Sequence, residues 1–319
     1  MENNKHAVID IGSNSVRLLV ADCTGQNILP IYKAIATTRL SEGLAVSGVL
    51  SKNAMERTAN AVYDFNIKAI EMGAQNIWCF ATAAVRNSEN ADKFIELVKE
   101  KTLIDIDVLS KKHEAQMGFI GVGGSGMRGI LDIGGGSTEI AVGDGENISR
   151  CSMDLGAVSA LDMYPLGDVA DELTLEAMRQ WAVNVMSKEA ASLVLQSPEV
   201  EFTGIGGTIT TLAAMEFKMA KYDPSRIQGK RLTLRTIEKW YSTLINMPLG
   251  ARRAIIGMEP KRADIIIGGI VILLTFMELF SLREIKVSDS GNLEGYLKDK
   301  LFGGAPIADN DETDEAQAE

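Results

Sequence analysis

Two stretches of the chain share one pattern of apolar and polar positions. Beginning at Ala7, an apolar run leads into the small polar turn Gly12–Ser15 and then into a second apolar run. The stretch from Gly129 has the same order, which predicts a strand, a tight turn and a strand in both places. A shift of 122 residues superposes Asp10 on Asp132, Gly12 on Gly134, Ser15 on Ser137 and Asp22 on Asp144. The repeated hairpin predicts two similar domains that face each other across a cleft.

The rest of the chain alternates between helical and strand periodicity. Helices are expected over residues 53–72, 91–101, 174–195, 209–219, 234–245 and 265–280, and strands over 77–82, 104–109, 201–205 and 284–288. Thr174 is the candidate N-cap of the long helix. Alternating strands and helices predict an α/β protein. We expect domains over residues 1–127 and 128–303, a last helix at about 293–303 that is able to pack back onto the first domain, and a disordered tail over 304–319.

Length and composition narrow the class of protein. A chain of 319 residues exceeds the usual size of a single core, and 46% hydrophobic with 24% charged residues is typical of soluble globular proteins. The net charge of −11 argues against nucleic-acid binding, and part of it lies in the acidic tail after residue 308.

Three cysteines, Cys23, Cys79 and Cys151, lack metal-ligand spacing and suit reduced thiols in the cytoplasm. The start has no long apolar region of the signal-peptide kind. The most apolar stretch, 265–280, contains Glu278 and is shorter than the roughly 18 residues of a membrane span, so we expect a buried helix and no membrane partner.

The turns of the repeated hairpin have the composition of an anion site. Glycines let the backbone approach closely, and consecutive N–H groups with Ser and Thr hydroxyls form a concave nest. The candidate phosphate-binding residues are Ser13, Asn14 and Ser15 in one turn and Gly134, Gly135, Gly136, Ser137 and Thr138 in the other. Asp10 and Asp132, at the strand ends, suit a Mg²⁺ ion bound directly or through water. The alternatives are a turn aspartate that caps its own loop and a flexible glycine hairpin.

Two further features concern anions. Gly206, Gly207 and Thr208 form a strand-to-helix turn, which is either an anion site at a helix N-terminus or a plain tight turn. The basic residues of a later connection either line the route of a long polyanion or are solvated loop charges; they are Arg252, Arg253, Lys261 and Arg262.

These motifs resemble the exopolyphosphatase and guanosine pentaphosphate phosphohydrolase family, within the actin, sugar-kinase and heat-shock-chaperone superfamily. The most specific match is D-I-G-G-G-S-T-E at 132–139, paired with D-I-G-S-N-S at 10–15. Supporting matches are F-A-T-A-A-V-R-N at 80–87, H-E-A at 113–115, G-I-G-G-T at 204–208, R-A-D-I-I-I-G-G at 262–269 and V-S-D-S-G at 287–291. The resemblance spans residues 7 to about 300. It implies two actin-like, ribonuclease-H-like domains in the family's short two-domain form.

The resemblance also implies an activity. It places Mg²⁺ near Asp10, Asp132 and Glu139, makes Glu114 the carboxylate that orients or deprotonates water with Glu139 as a second catalytic carboxylate, and puts Arg86 near the phosphates. The implied reaction is hydrolysis of the terminal phosphate of inorganic polyphosphate, with guanosine pentaphosphate as the alternative substrate and a homodimer as the assembly. Without the resemblance, Glu114 reads as a solvated helix start and Arg86 as a surface ion pair.

Two positions depart from the family pattern. The family usually has a second glutamate where His113 stands and an arginine where Leu293 stands, so chain preference or subunit contacts could differ. Three other functions stay open: a kinase of the same superfold, a non-hydrolysing alarmone or nucleotide sensor, and an actin-like assembly protein.

Overall fold

The computed structural model describes residues 4–25, 27–190, 193 and 200–303. Its first sheet has the order β3-β2-β1-β4-β5, in which β1 pairs antiparallel with β2 and parallel with β4. These strands are β1 (Lys5–Ile11), β2 (Ser15–Thr24), β3 (Asn27–Thr37), β4 (Asn76–Ala81) and β5 (Ile106–Val108). The hairpin expected from Ala7 is therefore the centre of this sheet, and β3 extends it.

The second sheet repeats this order. From one edge it runs β8-β7-β6-β9-β11, which matches β3-β2-β1-β4-β5, and β10 adds a strand at the far edge. Its strands are β6 (Arg128–Ile133), β7 (Thr138–Gly143), β8 (Ile148–Met153), β9 (Phe202–Ile205), β10 (Arg231–Thr233) and β11 (Glu284–Val287). Two α/β domains of one topology, as the repeat predicts, are confirmed.

Helices connect and cover the two sheets. Those that follow the first-sheet strands are α1 (Leu44–Ser47), α2 (Lys52–Glu71), α3 (Ala83–Arg86), α4 (Ala91–Thr102) and α5 (Lys111–Val122). Later in the chain come α6 (Ala157–Met163), α7 (Glu172–Glu189), α8 (Gly206–Glu216), α9 (Pro224–Ile227), α10 (Leu234–Ile245), α11 (Leu249–Arg253), α12 (Ile266–Leu279) and α13 (Asn292–Phe302).

The long helix α7 begins earlier than its sequence predicts. Its N-cap is Asp171, whose side chain accepts a hydrogen bond from the backbone N–H of Thr174. Thr174 is thus the third residue of the first turn, and its choice as N-cap is wrong because an aspartate three positions earlier makes that bond. The end of the expected helix beyond 190, apart from 193, and the expected tail 304–319 lie outside the described residues.

Helix α12 is buried on nearly all sides. It packs with α7, α10 and the second sheet in the largest apolar cluster, which includes Ile267, Leu273 and Phe276. The expected buried helix is confirmed, and no helix in the described part of the chain is long and apolar enough to cross a membrane.

Helices α5 and α13 cross between the two sheets. Leu293, Tyr296 and Leu297 of α13 pack with Val8 and Leu19 of the first sheet. Phe119 of α5 packs instead with Ile130 and Ile205 of the second sheet. Each helix thus covers the sheet of the other half of the chain, while a domain boundary at residue 127 stays a prediction.

Helix α5 and the start of α13 come into close backbone contact at glycines. A Cβ at Gly121 would lie 1.8 Å from the carbonyl oxygen of Gly291, and one at Gly295 would lie 1.9 Å from that of Met117. Only glycine permits this approach of the two backbones.

Candidate active site

The two predicted anion-binding turns have the same local geometry. The N–H of Gly12 donates to the carbonyl oxygen of Ser15 at 3.1 Å, and that of Gly134 donates to Ser137 at 3.0 Å. The turns also touch, because a Cβ at Gly135 would lie 2.9 Å from the Cβ of Ser13. The two hairpins therefore meet face to face, as the cleft hypothesis requires.

The space between them, here called the phosphate cleft, has a volume of about 30 Å³. Its lining includes many predicted site residues, namely Asp10, Ser13, Asn14, Ser15, Glu114, Asp132, Gly134, Gly135, Gly136, Ser137, Gly207 and Thr208. A cavity of this size holds about one water molecule. In this state, called closed below, the two turns touch and leave little free space between them.

Four predicted residues lie outside this lining. The hydroxyl of Thr138 donates to the carbonyl oxygen of Leu155, so it holds the hairpin rather than facing the cleft. Gly206 lines a neighbouring cavity, and its φ of 82° is the left-handed conformation that glycine tolerates. Arg86 and Glu139 do not line the cleft, but each is next to a carboxylate that does: Arg86 to Glu114 and Glu139 to Asp132.

Asp10 is held by its cross-strand neighbour. It lies opposite Arg17 in the β1–β2 pairing, and its Oδ2 lies 3.4 Å from the Nε of Arg17. Burial raises the pKa of Asp10 to about 6, Arg17 opposes this rise, and the negative charge of Asp132 adds to it. Arg17 alone therefore does not offset the cost of burying the ionised carboxylate.

Asp132 accepts a hydrogen bond from an uncharged side chain. The amide of Asn292 donates from Nδ2 to Oδ2 at 3.0 Å, while the buried Oδ1 has no hydrogen-bond partner among the described residues. Burial raises the pKa of Asp132. A buried carboxylate oxygen without a donor is a position at which a cation or a water molecule binds favourably.

Glu114 stands in the first turn of α5, after the N-cap Ser110. Its Oε2 accepts from Nη1 of Arg86 at 2.8 Å, and the same Nη1 donates to the carbonyl oxygen of Leu109 at 2.8 Å. Glu114 is 5% exposed, so its interpretation as a solvated helix start is wrong. Burial raises its pKa to about 7 although Arg86 lowers it, which places the carboxylate at the pKa suited to a general base near neutral pH.

Glu139 lies on β7, next to Asp132 of β6. It pairs with Asp132 in the β6–β7 register, and the hydroxyl of Ser152 donates to its Oε1 at 2.8 Å. Burial, followed by the charges of Glu114 and Asp132, raises the pKa of Glu139 well above its ordinary value. Asp10, Glu114, Asp132 and Glu139 together concentrate negative charge that only a cation or protons can balance.

The fit of this cluster to Mg²⁺ is partial. Carboxylate and hydroxyl oxygens are the donors that Mg²⁺ prefers, and Oδ1 of Asp132 is free to act as one. The part of the chain that the structure describes contains no group of three or more His, Cys, Asp or Glu side chains placed to hold one ion. An ion here would therefore take several ligands from water and substrate, which is usual for Mg²⁺ at phosphate sites.

Sequence reasoning missed several side chains that line the cleft, among them Arg17 and Asn292. Arg17 occupies the position in the first hairpin that Glu139 occupies in the second, since both lie seven residues after the strand aspartate. The repeat already extends past both positions, so comparing its two copies residue by residue would have found Arg17. Asn292 comes from the distant α13 and follows V-S-D-S-G directly, but no local pattern marks it.

Two arginines of the basic connection, Arg262 and Arg252, lie in different environments. Arg262 lines the cleft, and its guanidinium lies flat on Gly207, where a Cβ would be 1.7 Å from Nη1. Burial, and then the nearby charge of Arg17, lowers the pKa of Arg262 to about 10. Arg252 is instead 1% exposed and donates to three backbone carbonyls, so its suggested role along a polyanion route is wrong.

A larger cavity of about 900 Å³, here called the neighbouring cavity, adjoins the phosphate cleft. The two share Arg17, Asp132, Gly207, Arg262 and Asn292. Apolar side chains contribute much of its wall, among them Ile35, Met219, Ile255, Met258 and Leu293. Leu293, one of the departures from the family pattern, thus packs in the core and borders this cavity, whereas His113 lies 3.9 Å from Asp299 at the α5–α13 contact.

Comparison with known proteins identifies the family. The model of the Ppx/GppA phosphatase family matches residues 19–302. The chain belongs to this family. Solved structures agree: a structure of the Aquifex aeolicus PPX-GPPA enzyme superposes with a TM-score of 0.76 at 30% identity, covering 92% of this chain and 99% of that one. An exopolyphosphatase structure from Cytophaga hutchinsonii has a TM-score of 0.86 at 24% identity, over 94% of this chain and 99% of that one, and shows the same actin-like fold.

Curated relatives of this Ppx/GppA family member carry two kinds of name. Exopolyphosphatase 2 of Mycobacterium tuberculosis is 27% identical over 91% of this chain and 96% of its own length. The bifunctional 3-dehydroquinate synthase/phosphatase of Fusobacterium nucleatum is 33% identical over 92% of this chain, which spans only 46% of that protein.

Proposed function

We propose that this chain is an exopolyphosphatase that hydrolyses the terminal phosphate of inorganic polyphosphate and releases orthophosphate. One observation carries the proposal: Glu114, a buried carboxylate with a pKa of about 7, faces a cleft between two matching anion-binding turns. A phosphotransferase site without such a carboxylate would position phosphate but would not activate water. The exopolyphosphatase names of relatives such as that of Mycobacterium tuberculosis support the same reaction.

In the proposed mechanism, backbone N–H groups and hydroxyls of residues 13–15 and 135–137 hold the terminal phosphate. Glu114 accepts one proton from a water molecule while the water oxygen forms a new bond to phosphorus. The bond from phosphorus to the bridging oxygen breaks, and that oxygen leaves with its electron pair on the shortened chain. Arg86 orients Glu114 and keeps it from being fully protonated.

Mg²⁺ is part of this proposal. Asp132, with Asp10 and Glu139 nearby, would hold the ion, which would neutralise charge on the phosphates when bound. This role explains why four buried carboxylates stand together with too few cations to balance them.

Guanosine pentaphosphate is the second candidate substrate, and the neighbouring cavity favours it. The cavity adjoins the phosphate cleft, and its volume of about 900 Å³ and apolar wall suit a nucleoside, which bare polyphosphate lacks. The chemical step is the same for both substrates, since each carries a terminal phosphoanhydride.

The test is phosphate release from long-chain polyphosphate and from guanosine pentaphosphate, with Mg²⁺ and with EDTA. Glu114→Gln keeps the size and the contact with Arg86 but cannot accept a proton, whereas Glu278→Gln alters an exposed glutamate as a control. We expect release that needs Mg²⁺, survives in the control and falls by about 10²-fold or more in the cleft variant.

The faster substrate then names the enzyme. If neither substrate yields phosphate but guanosine tetraphosphate binds tightly, the hydrolase proposal fails and a sensor takes its place. Transfer of phosphate to an added hydroxyl acceptor, with no release in its absence, would indicate a kinase, and filament formation would indicate an assembly protein. A homodimer and a cytoplasmic location stay predictions.

A further inference from the structure

Several polar contacts that join the two halves of the chain use an aspartate of the second half. Aspartates of the second half of the chain accept from, or pair with, groups of the first half at distances of 2.7 to 3.0 Å. The acceptors are Asp154 with Asn87 and Lys111, Asp162 with the N–H of Gly43, Asp264 with Arg39, and Asp289 with Lys33. These contacts join the two halves of the chain around the phosphate cleft in the closed state.

Arg39 differs from the other donors in what its backbone holds. Its side chain lies 2.7 Å from Asp264 and also donates to the carbonyl oxygen of Lys261 at 3.1 Å. Its own N–H donates to the carbonyl oxygen of Asn14 at 2.9 Å. One residue therefore joins the first phosphate-binding turn to the segment of the second domain that carries Arg262.

The neighbours of Arg39 strengthen its hold on that turn. The N–H of Thr38 also donates to Asn14, and both the N–H and the hydroxyl of Ser41 donate to the carbonyl oxygen of Ser13. The segment 38–41 therefore binds the carbonyl oxygens of Ser13 and Asn14 and fixes the conformation of the turn.

The backbone of Arg39 is also unusual. Its φ is 50°, a left-handed conformation that costs a residue with a Cβ about 1 kcal/mol. Strain of this kind persists where surrounding contacts impose it and often marks a functional position. The ion pair with Asp264 has partial protection from solvent, since the two side chains are 31% and 17% exposed.

We propose that Arg39 is a positioning residue that couples closure of the cleft to alignment of the first phosphate-binding turn. When the domains close, the guanidinium engages Asp264 and Lys261 while the peptide of Arg39 fixes Ser13 and Asn14 in their phosphate-binding geometry. The catalytic part of this statement rests on the proposed hydrolase function, whereas the closure part does not.

The first measurement is hydrogen–deuterium exchange of the wild type and Arg39→Ala without substrate. Loss of a local brace alone would raise exchange only at 12–15 and 38–41. Loss of closure would also raise exchange at 134–137, the second turn, to which the structure gives Arg39 no hydrogen bond. We expect faster exchange at all three segments, and unchanged exchange at 134–137 would overturn the proposal.

Kinetics with polyphosphate then test the coupling. We expect kcat/KM to fall about tenfold in Arg39→Ala, a factor typical of coupling between a conformational state and a site. Asp264→Ala should lose a similar factor and the double variant little more than either single one, because both changes remove the same contact. Arg39→Lys, which can keep the ion pair, should recover part of the loss.

Arg179→Ala is the matched control. It breaks an arginine–carboxylate pair of similar length, 2.8 Å to Glu278, that lies within the second domain. We expect wild-type exchange and wild-type kcat/KM. Additive losses in the Arg39 and Asp264 double variant would refute the coupling, and a wild type without phosphate release would refute the hydrolase proposal while the exchange result still decides closure.

Discussion

Arg86 offers the sharpest test of the proposed general base. Its guanidinium is the direct ion-pair partner of Glu114 at 2.8 Å, and both side chains are largely buried, with 15% and 6% exposure. The pKa of Glu114 is about 7 because burial raises it more than Arg86 lowers it. Replacing Arg86 with glutamine removes the positive charge and leaves burial in place, so the pKa of Glu114 must rise further.

The size of the rise follows from the contact. A hydrogen bond to a charged group contributes about 1.5 to 3 kcal/mol, which corresponds to about one to two pKa units. The acidic limb of the pH profile of kcat/KM should therefore move from about 7 to about 8 or 9. At pH 7 the ionised fraction of Glu114 then falls by about fivefold to fiftyfold, and kcat/KM falls with it.

The assay is phosphate release at fixed Mg²⁺ from pH 5.5 to 9.5. Lys93→Gln, a change of an exposed cation on the next helix, should leave the profile of the wild type in place. In Arg86→Gln the rates should converge on the wild-type value at high pH. An unmoved midpoint with a uniformly lower rate would refute this reasoning and would show that Arg86 does not set the pKa of Glu114.

Three further predictions concern stability, measured by urea unfolding. Asp10→Asn should stabilise the fold by about 2 kcal/mol at pH 8 and by little near pH 4. The reason is that the folded-state pKa of Asp10 is about 6, so its ionisation destabilises the fold as the pH rises from 4 to 6. Equal gains at both pH values would contradict this. Gly121→Ala should destabilise by about 2 to 3 kcal/mol, since its Cβ meets the backbone of Gly291, whereas Gly250→Ala, in open space on a helix, should be neutral or stabilising. Arg252→Met should cost about 3 kcal/mol by leaving one buried and two partly buried carbonyl acceptors without their donor. A loss below 1 kcal/mol would show that water replaces the guanidinium.

The parts of the site that sequence predicts are those formed by neighbours along the chain. A glycine-rich turn between two apolar runs carries its own geometry, so the pair of hairpins and the positions of Asp10 and Asp132 follow from pattern alone. The position of Glu114 in a helix follows equally, but its burial depends on Arg86 and on strands from both halves, and no periodicity near residue 114 contains that information.

The missed features are tertiary. The hydrogen bond from Asn292 to Asp132 joins residues 160 positions apart. Strand β3 escapes prediction because it is an edge strand whose apolar side chains are partly outside: Leu29 is 67% exposed and Ile35 is 52% exposed, so neither a continuous apolar run nor a clean alternation marks it. Arg252 reads as a surface charge because only its three carbonyl partners, which come from separate loops, make its burial possible.

The exchange of helices between the two halves has a consequence for synthesis. One face of the first sheet, with Val8 and Leu19, is covered by Leu293, Tyr296 and Leu297, which the ribosome adds more than 270 residues later. Until that helix emerges, this apolar surface is only partly covered from within the first half, by residues such as Met117 of α5. The first domain is therefore complete only after the strands of the second sheet have been synthesised, and until then a chaperone can bind the exposed face.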